Sequence, residues 1–230
     1  MVSATDPLAS PDEIHTYLVT RLNDALRRPG VWGGELSIRL VLDHLLFVER
    51  RPEAWGNEQQ ALERRKAWTA TGVVGAFKEL LPADDGANVA SVYAEIAHRH
   101  GWLSADRVLS PAEYASMLGT IDSWAAYDRT WADVTSIFGP PSVLFGGTNP
   151  LYGKTLGYAT EDPSEPMLFF HLWNGTDSGS ELSWPPAHEQ PLLLAVRHGD
   201  RPFPDSFTFT PAGQSRQPAQ GECHPAHPSP

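Results

Sequence analysis

Glu95-Ile96-Ala97-His98 sets a carboxylate and an imidazole three residues apart. On a helix, positions i and i+3 share a face, so Glu95 and His98 could reach one metal ion. A helical-bundle metal site built this way needs a second E-x-x-H and two further carboxylates. The sequence holds no second copy. The bland alternative is a solvated helix end on which Arg99 pairs with Glu95. Asp43-His44 is the other pairing with catalytic potential, and it falls in the most apolar helical stretch. A buried ionisable pair would have shifted pKa values and could act as base and orienting carboxylate. Arg39, four residues earlier, equally offers Asp43 an intrahelical ion pair, and His44 could bond a backbone carbonyl.

Two further constellations fall on extended segments. In Phe169-Phe170-His171-Leu172-Trp173, alternation puts His171 and Trp173 on one face and Phe170 and Leu172 on the other. With Phe170 and Leu172 in a core, His171 and Trp173 would line an exposed surface, joined by Tyr158 from a neighbouring strand. Exposed aromatics beside a histidine make a recognition patch. The competing reading is a sheet face covered by helices. Arg197-His198-Gly199 follows the apolar run Leu192 to Val196 and resembles the strand-then-RHG start of the histidine phosphatases. The resemblance implies a phosphorylated His198 and a phosphate-binding Arg197. In that family the motif stands near the N-terminus, before a helix and a long remainder. Here 31 residues follow Gly199.

Other signatures are missing. Gly33-Gly34 and Gly146-Gly147 belong to no phosphate-binding loop, and neither H-E-x-x-H nor G-x-S-x-G occurs. The one cysteine, Cys223, rules out an internal disulfide and a multi-cysteine zinc site, and it is compatible with a reducing cytosol. Cys223, His224 and His227 could hold a stray metal only weakly on a loose tail. Net charge is −11, from 17 Lys+Arg against 28 Asp+Glu. An acidic surface repels phosphate backbones, so nucleic acid is not an expected partner. The basic run Arg64-Arg65-Lys66 reads as an ion-paired helix face with Glu58 and Glu63. The first eleven residues carry no basic region before an apolar run, so no secretory leader is expected. Leu36 to Val48 is too short and too polar to span a bilayer.

These residues need elements to position them. Before Gly139-Pro140-Pro141, apolar residues recur at helical spacing; after it come short apolar runs separated by Gly, Pro, Asn and Asp. Ser10-Pro11-Asp12-Glu13 and Ser110-Pro111-Ala112-Glu113 are capping-box starts. The first opens a helix ending near Arg28, and the second a stripe running from Tyr114 to Phe138. Between them the spacing predicts helices at Glu35 to Arg51, Asn57 to Leu81 and Val89 to His100, the first of these central and buried. Trp68, Trp124 and Trp131 fall at core positions. Strands are predicted at Ser142 to Phe145, Thr155 to Ala159, Met167 to Trp173, Leu192 to Arg197 and Ser206 to Thr210, and their short links imply antiparallel pairing. The expected fold is α+β: about five helices (1–138), then an antiparallel sheet of four or five strands (139–210) sharing their core, with helices on one sheet face. Residues 211–230, rich in Pro, Gln, Ser and His, are expected to be disordered.

The leading functional expectation is a soluble cytosolic binding protein, recognising a macromolecular partner or a small ligand through its sheet and loops. Its acidity suits a basic partner, such as a toxin or nuclease that it neutralises. The alternative is a hydrolase or metal-dependent enzyme whose Asp43, His44, Glu95 and His98 converge between helices. No cofactor is named by the sequence, and no membrane association is expected.

Overall fold

The computed structural model describes residues 8–82, 86–175 and 186–218. Its first part is helical: α1 (Pro11–Arg27), α2 (Pro29–Trp32), α3 (Gly34–Val48), α4 (Ala54–Arg64), α5 (Val73–Lys78), α6 (Gly86–Arg99), α7 (Pro111–Trp124) and α8 (Trp131–Phe138). Five strands follow, β1 (Val143–Phe145), β2 (Lys154–Tyr158), β3 (Leu168–Trp173), β4 (Leu192–Arg197) and β5 (Phe207–Phe209), and then α9 (Pro211–Ser215). The chain is α+β, and no described helix is long and apolar enough to cross a membrane.

The two capping boxes form as their sequences predict. Ser10 N donates to the Glu13 carboxylate at 2.7 Å and Glu13 N to Ser10 Oγ at 3.3 Å. Ser110 and Glu113 repeat the exchange at 2.8 and 3.3 Å. Each such cap is worth about 1 kcal/mol.

Two expected helices are each divided. The 57–81 stretch breaks between α4 and α5, where Lys66 adopts φ 60° and Thr69 and Gly72 exchange backbone hydrogen bonds. The new helix start is capped from a distance. The Glu35 carboxylate accepts from Val73 N at 2.9 Å, Val74 N at 3.1 Å and Tyr93 Oη at 2.6 Å. Gly72 has φ 89°, and a Cβ there would collide with that carboxylate. The stretch from Tyr114 to Phe138 breaks after Trp124. Thr130 starts α8 with its own capping box to Asp133, and Trp131 N donates to Pro191 O at 3.1 Å.

The sheet is an antiparallel meander in the order β1-β2-β3-β4-β5. The β3–β4 register shifts between His171 and Leu172: His171 pairs with Ala195 but Leu172 with Leu193, leaving Leu194 as the extra, bulged residue of β4.

Helices cover both faces of this sheet, where one covered face was expected. On one side α1, α3, α5 and α6 pack with Phe145, Phe169, Leu194 and Ala195. On the other, Tyr114, Met117, Ile121 and Trp124 of α7 and Val134 and Phe138 of α8 pack with Leu156, Tyr158, Phe170, Leu172 and Val196. The reason lies in the central strands: β3 and β4 are apolar on both alternating sets apart from His171 and Arg197, and they are buried on both faces.

The expected loose tail is also corrected in part. Thr210 donates its hydroxyl to Leu193 O at 2.6 Å and accepts from Gly213 N at 3.1 Å, which starts α9. Ala212 and Gly213 are buried, and Gly213 lies so close to Leu194 that a Cβ would collide with the Leu194 carbonyl. Residues 219–230, with Cys223, His224 and His227, lie outside the described residues.

Candidate functional site

Glu95 and Arg197, separate candidates in the sequence, meet in the interior. Arg197 ends β4 and is 1 % exposed; Glu95 stands on α6 at 7 %. Arg197 Nη1 donates to Glu95 Oε1 at 3.0 Å, and Nη2 to Ser91 Oγ at 3.2 Å. The Phe169 ring lies 4.4 Å from the guanidinium carbon. Arg65 completes the cluster, with Nη1 3.9 Å from Glu95 Oε2 and Nη2 donating to Gly199 O at 3.3 Å. Burial draws the Arg197 pKa down and the Glu95 carboxylate opposes it. Removing one partner from such a buried pair costs about 3–5 kcal/mol, because the other charge is left uncompensated. This pairing displaces the one expected for Glu95. Arg99 instead meets Glu58 at 2.7 Å, and His100 Nε2 lies 3.2 Å from the same carboxylate.

The network borders a cleft of about 40 Å³ lined by Arg65, Glu95, His98, Met167 and Asp200 among others. That is room for about one or two waters, against the several hundred Å³ of a typical small-molecule pocket. His98 Nε2 lies 3.3 Å from Asp162 O, so it is the donor. Burial lowers the His98 pKa, which favours the neutral ring and leaves Nδ1 able to take a proton. Glu95 is in a different position. Its carboxylate is committed to two guanidiniums, so binding a metal with His98 would require displacing an arginine. Among the described residues, no group of three His, Cys, Asp or Glu side chains is placed to hold a metal ion.

The expected patch of Tyr158, His171 and Trp173 does not form. Tyr158 faces the α7–α8 side, fully buried, and donates to Gly139 O at 2.9 Å. His171 faces the opposite side at 1 % exposure, with Phe77 and Phe207 rings 5.4 and 5.6 Å away. Its Nδ1 lies 2.9 Å from Asn88 Oδ1, which also accepts from Thr155 Oγ1 at 2.9 Å. An amide oxygen can only accept, so Nδ1 carries the proton. Nε2 has no hydrogen-bond partner among the described residues. Burial holds the imidazole well below its ordinary value, and nearby Arg197 adds to the effect. Trp173 is half-buried beneath Arg216, whose guanidinium carbon is 5.0 Å from the ring. Two covered sheet faces leave no exposed aromatic surface on these strands.

His198 and Arg197 do not form a shared phosphate site. Arg197 is spent on Glu95 and Ser91, while His198, the next residue, feels Asp122 of α7 across the other face. Burial is the largest influence on His198 and lowers its pKa.

Asp43 and His44 are exposed rather than buried. The core stripe of α3 is Ile38, Leu42, Leu45 and Leu46, which turns Asp43 and His44 to solvent. Arg39 does not pair with Asp43. It lies over the Trp68 ring at 4.6 Å and 5.7 Å from the Trp55 ring. The four residues expected to converge therefore divide into an exposed pair on α3 and a buried or half-buried pair on α6.

One feature escaped the sequence reading. The outer face of α3 carries Leu36 at 62 %, Leu40 at 50 % and Phe47 at 70 % exposure, with Asp43 between the last two. Tyr17 of α1 and Val31 and Trp32 of α2 are exposed on the two neighbouring helices. The Arg21 guanidinium bridges Tyr17 and Trp32, at 5.4 and 4.9 Å from the ring centroids. The signal was present as an apolar set, 36, 40 and 47, left over once the core stripe is subtracted. A helix apolar on most sides is expected to be central and buried; α3 is peripheral instead, with a second apolar face outward.

No family model, curated protein or solved structure matches the chain, so the functional reading rests on the chemistry of these surfaces.

Proposed function

We propose that the chain is a binding protein for a protein partner, and that it recognises this partner through the outer face of α1–α3 rather than through its sheet. The observation that carries this reading is the exposed apolar row of Leu36, Leu40 and Phe47. Exposed apolar side chains scattered singly are ordinary, but a contiguous apolar face marks an interaction surface. Covering what remains exposed of each side chain yields about 1–2 kcal/mol, enough for a few of them to anchor a complex. The net charge of −11 adds long-range attraction for a basic protein, such as a toxin or nuclease held in check. A reducing cytosol is the setting that a single cysteine suits.

The test is affinity capture with the full chain and with the double variant Leu40→Glu, Phe47→Glu, both checked for native fold by circular dichroism. The variant is expected to retain less than about a tenth of the specifically captured partner. Equal capture by the two proteins would remove the surface from the account.

A second reading has one observation in its favour: Glu95 and His98 line the same cleft with Arg65. It makes the chain a hydrolase or metal-dependent enzyme with His98 as base. Native mass spectrometry of protein purified without chelator distinguishes the two readings, because a metal adduct lost in His98→Ala would favour the enzyme.

A further inference from the structure

The exposed row on α3 has a register of its own. Leu36, Leu40, Asp43 and Phe47 are spaced four, three and four residues apart, which keeps them on one face over three turns. At 1.5 Å per residue the row is about 16 Å long. A second helix laid along it meets knobs at its own turn spacing.

The single charge in that row is Asp43. The other charged residues of α3 are turned away, Glu35 to the start of α5 and to Tyr93, and Arg39 onto Trp68 and Trp55. No cation of its own helix therefore competes for Asp43, and no ion pair or hydrogen bond engages it among the described residues. A partner that covers the row must desolvate this carboxylate, which is costly unless a cation meets it. That penalty rejects an uncharged apolar helix. It also disfavours a second copy, whose α3 row would bring a second aspartate and whose Arg21, at the edge of the face, is already held by Asp24 at 3.1 Å, and an anionic membrane surface, which would repel it.

Resting on the partner-binding reading above, we infer that the partner docks an amphipathic helix along α3, with a Lys or Arg placed against Asp43. The leucines and Phe47 supply adhesion, and Asp43 supplies the discrimination.

The experiment is isothermal titration of the full chain with three synthetic peptides of about 18 residues, long enough to hold helix. One is an amphipathic Leu/Lys helix, one has the same composition scrambled to destroy the apolar face, and one carries Glu in place of Lys. The Leu/Lys helix is expected to bind, with the scrambled and acidic peptides at least roughly tenfold weaker. Asp43→Lys is expected to weaken the Leu/Lys helix roughly tenfold. Glu161→Lys makes the same change in net charge at an exposed turn residue and should cost less than about threefold. Equal losses from the two variants would mean that only net charge is read, and would overturn the inference. So would equal binding of the scrambled peptide, or no binding of the Leu/Lys helix. None of these three outcomes touches the capture experiment with Leu40→Glu, Phe47→Glu, which judges the surface itself.

Discussion

His171 shows how an identical side chain carries opposite meanings in sequence and in structure. Alternation along β3 places it correctly opposite Phe170, but alternation is silent on what covers each face. Covered by α5, α6 and β5 residues, it becomes a neutral core histidine tied to Asn88 and Thr155. That has a consequence for stability. Burial holds its pKa well below the ordinary 6.5, so the unfolded chain takes up a proton that the folded chain refuses. Its contribution is complete above pH 6.5 and is lost as pH falls from there toward the depressed folded value. His98 and His198 shift in the same direction. Urea midpoints measured from pH 7.5 to 5 should therefore decline in the wild type and decline less steeply in His171→Gln. Parallel slopes in the two proteins would show that the ring is not the group responsible. Arg197 and Glu95 carry a related lesson: each was visible as a residue with chemistry, but a pairing 102 positions apart leaves no local signal.

Elements were legible where their signals are local and obscure where they are not. Capping boxes, the Gly139-Pro140-Pro141 transition and the five short apolar runs are read from neighbouring residues, and all of them form. The break between α4 and α5 rests on Glu35, 38 positions from Val73, and so escapes a window of any ordinary length. Helix α9 is obscure for a different reason. Its composition suggests a loose tail, but Thr210 caps it and the bulge at Leu194 gives Gly213 a seat on the β4 backbone. Gly213→Ala should unseat the helix, because the added methyl meets the Leu194 carbonyl. The expected result is faster amide exchange at 212–216 and a loss of about 1–3 kcal/mol, read by hydrogen exchange and urea titration. Unchanged exchange in this segment would mean that α9 owes its place to Thr210 and Ala212 alone.

At the scale of the whole molecule, a sheet enclosed between two helical layers leaves the proposed partner binding to the outer surfaces. Both inner faces are consumed by core packing, the cleft beside Glu95 holds about 40 Å³, and the two dyads weighed for catalysis lie on different surfaces. Among the described elements, α3 carries the largest number of exposed large apolar side chains, Leu36, Leu40 and Phe47, with further ones on its neighbours α1 and α2. An acidic protein with such a face gains speed of encounter from its charge and residence time from its apolar contacts. The most direct measurement is a methyl-labelled NMR titration of the full chain with the basic amphipathic helix. The account predicts that the Leu36 and Leu40 methyls shift and broaden first, while those of Leu109, Ile121 and Leu168 on the far side of the sheet stay in place. Shifts centred instead on Met167 and the cleft beside Glu95, with Leu36 and Leu40 unmoved, would contradict it.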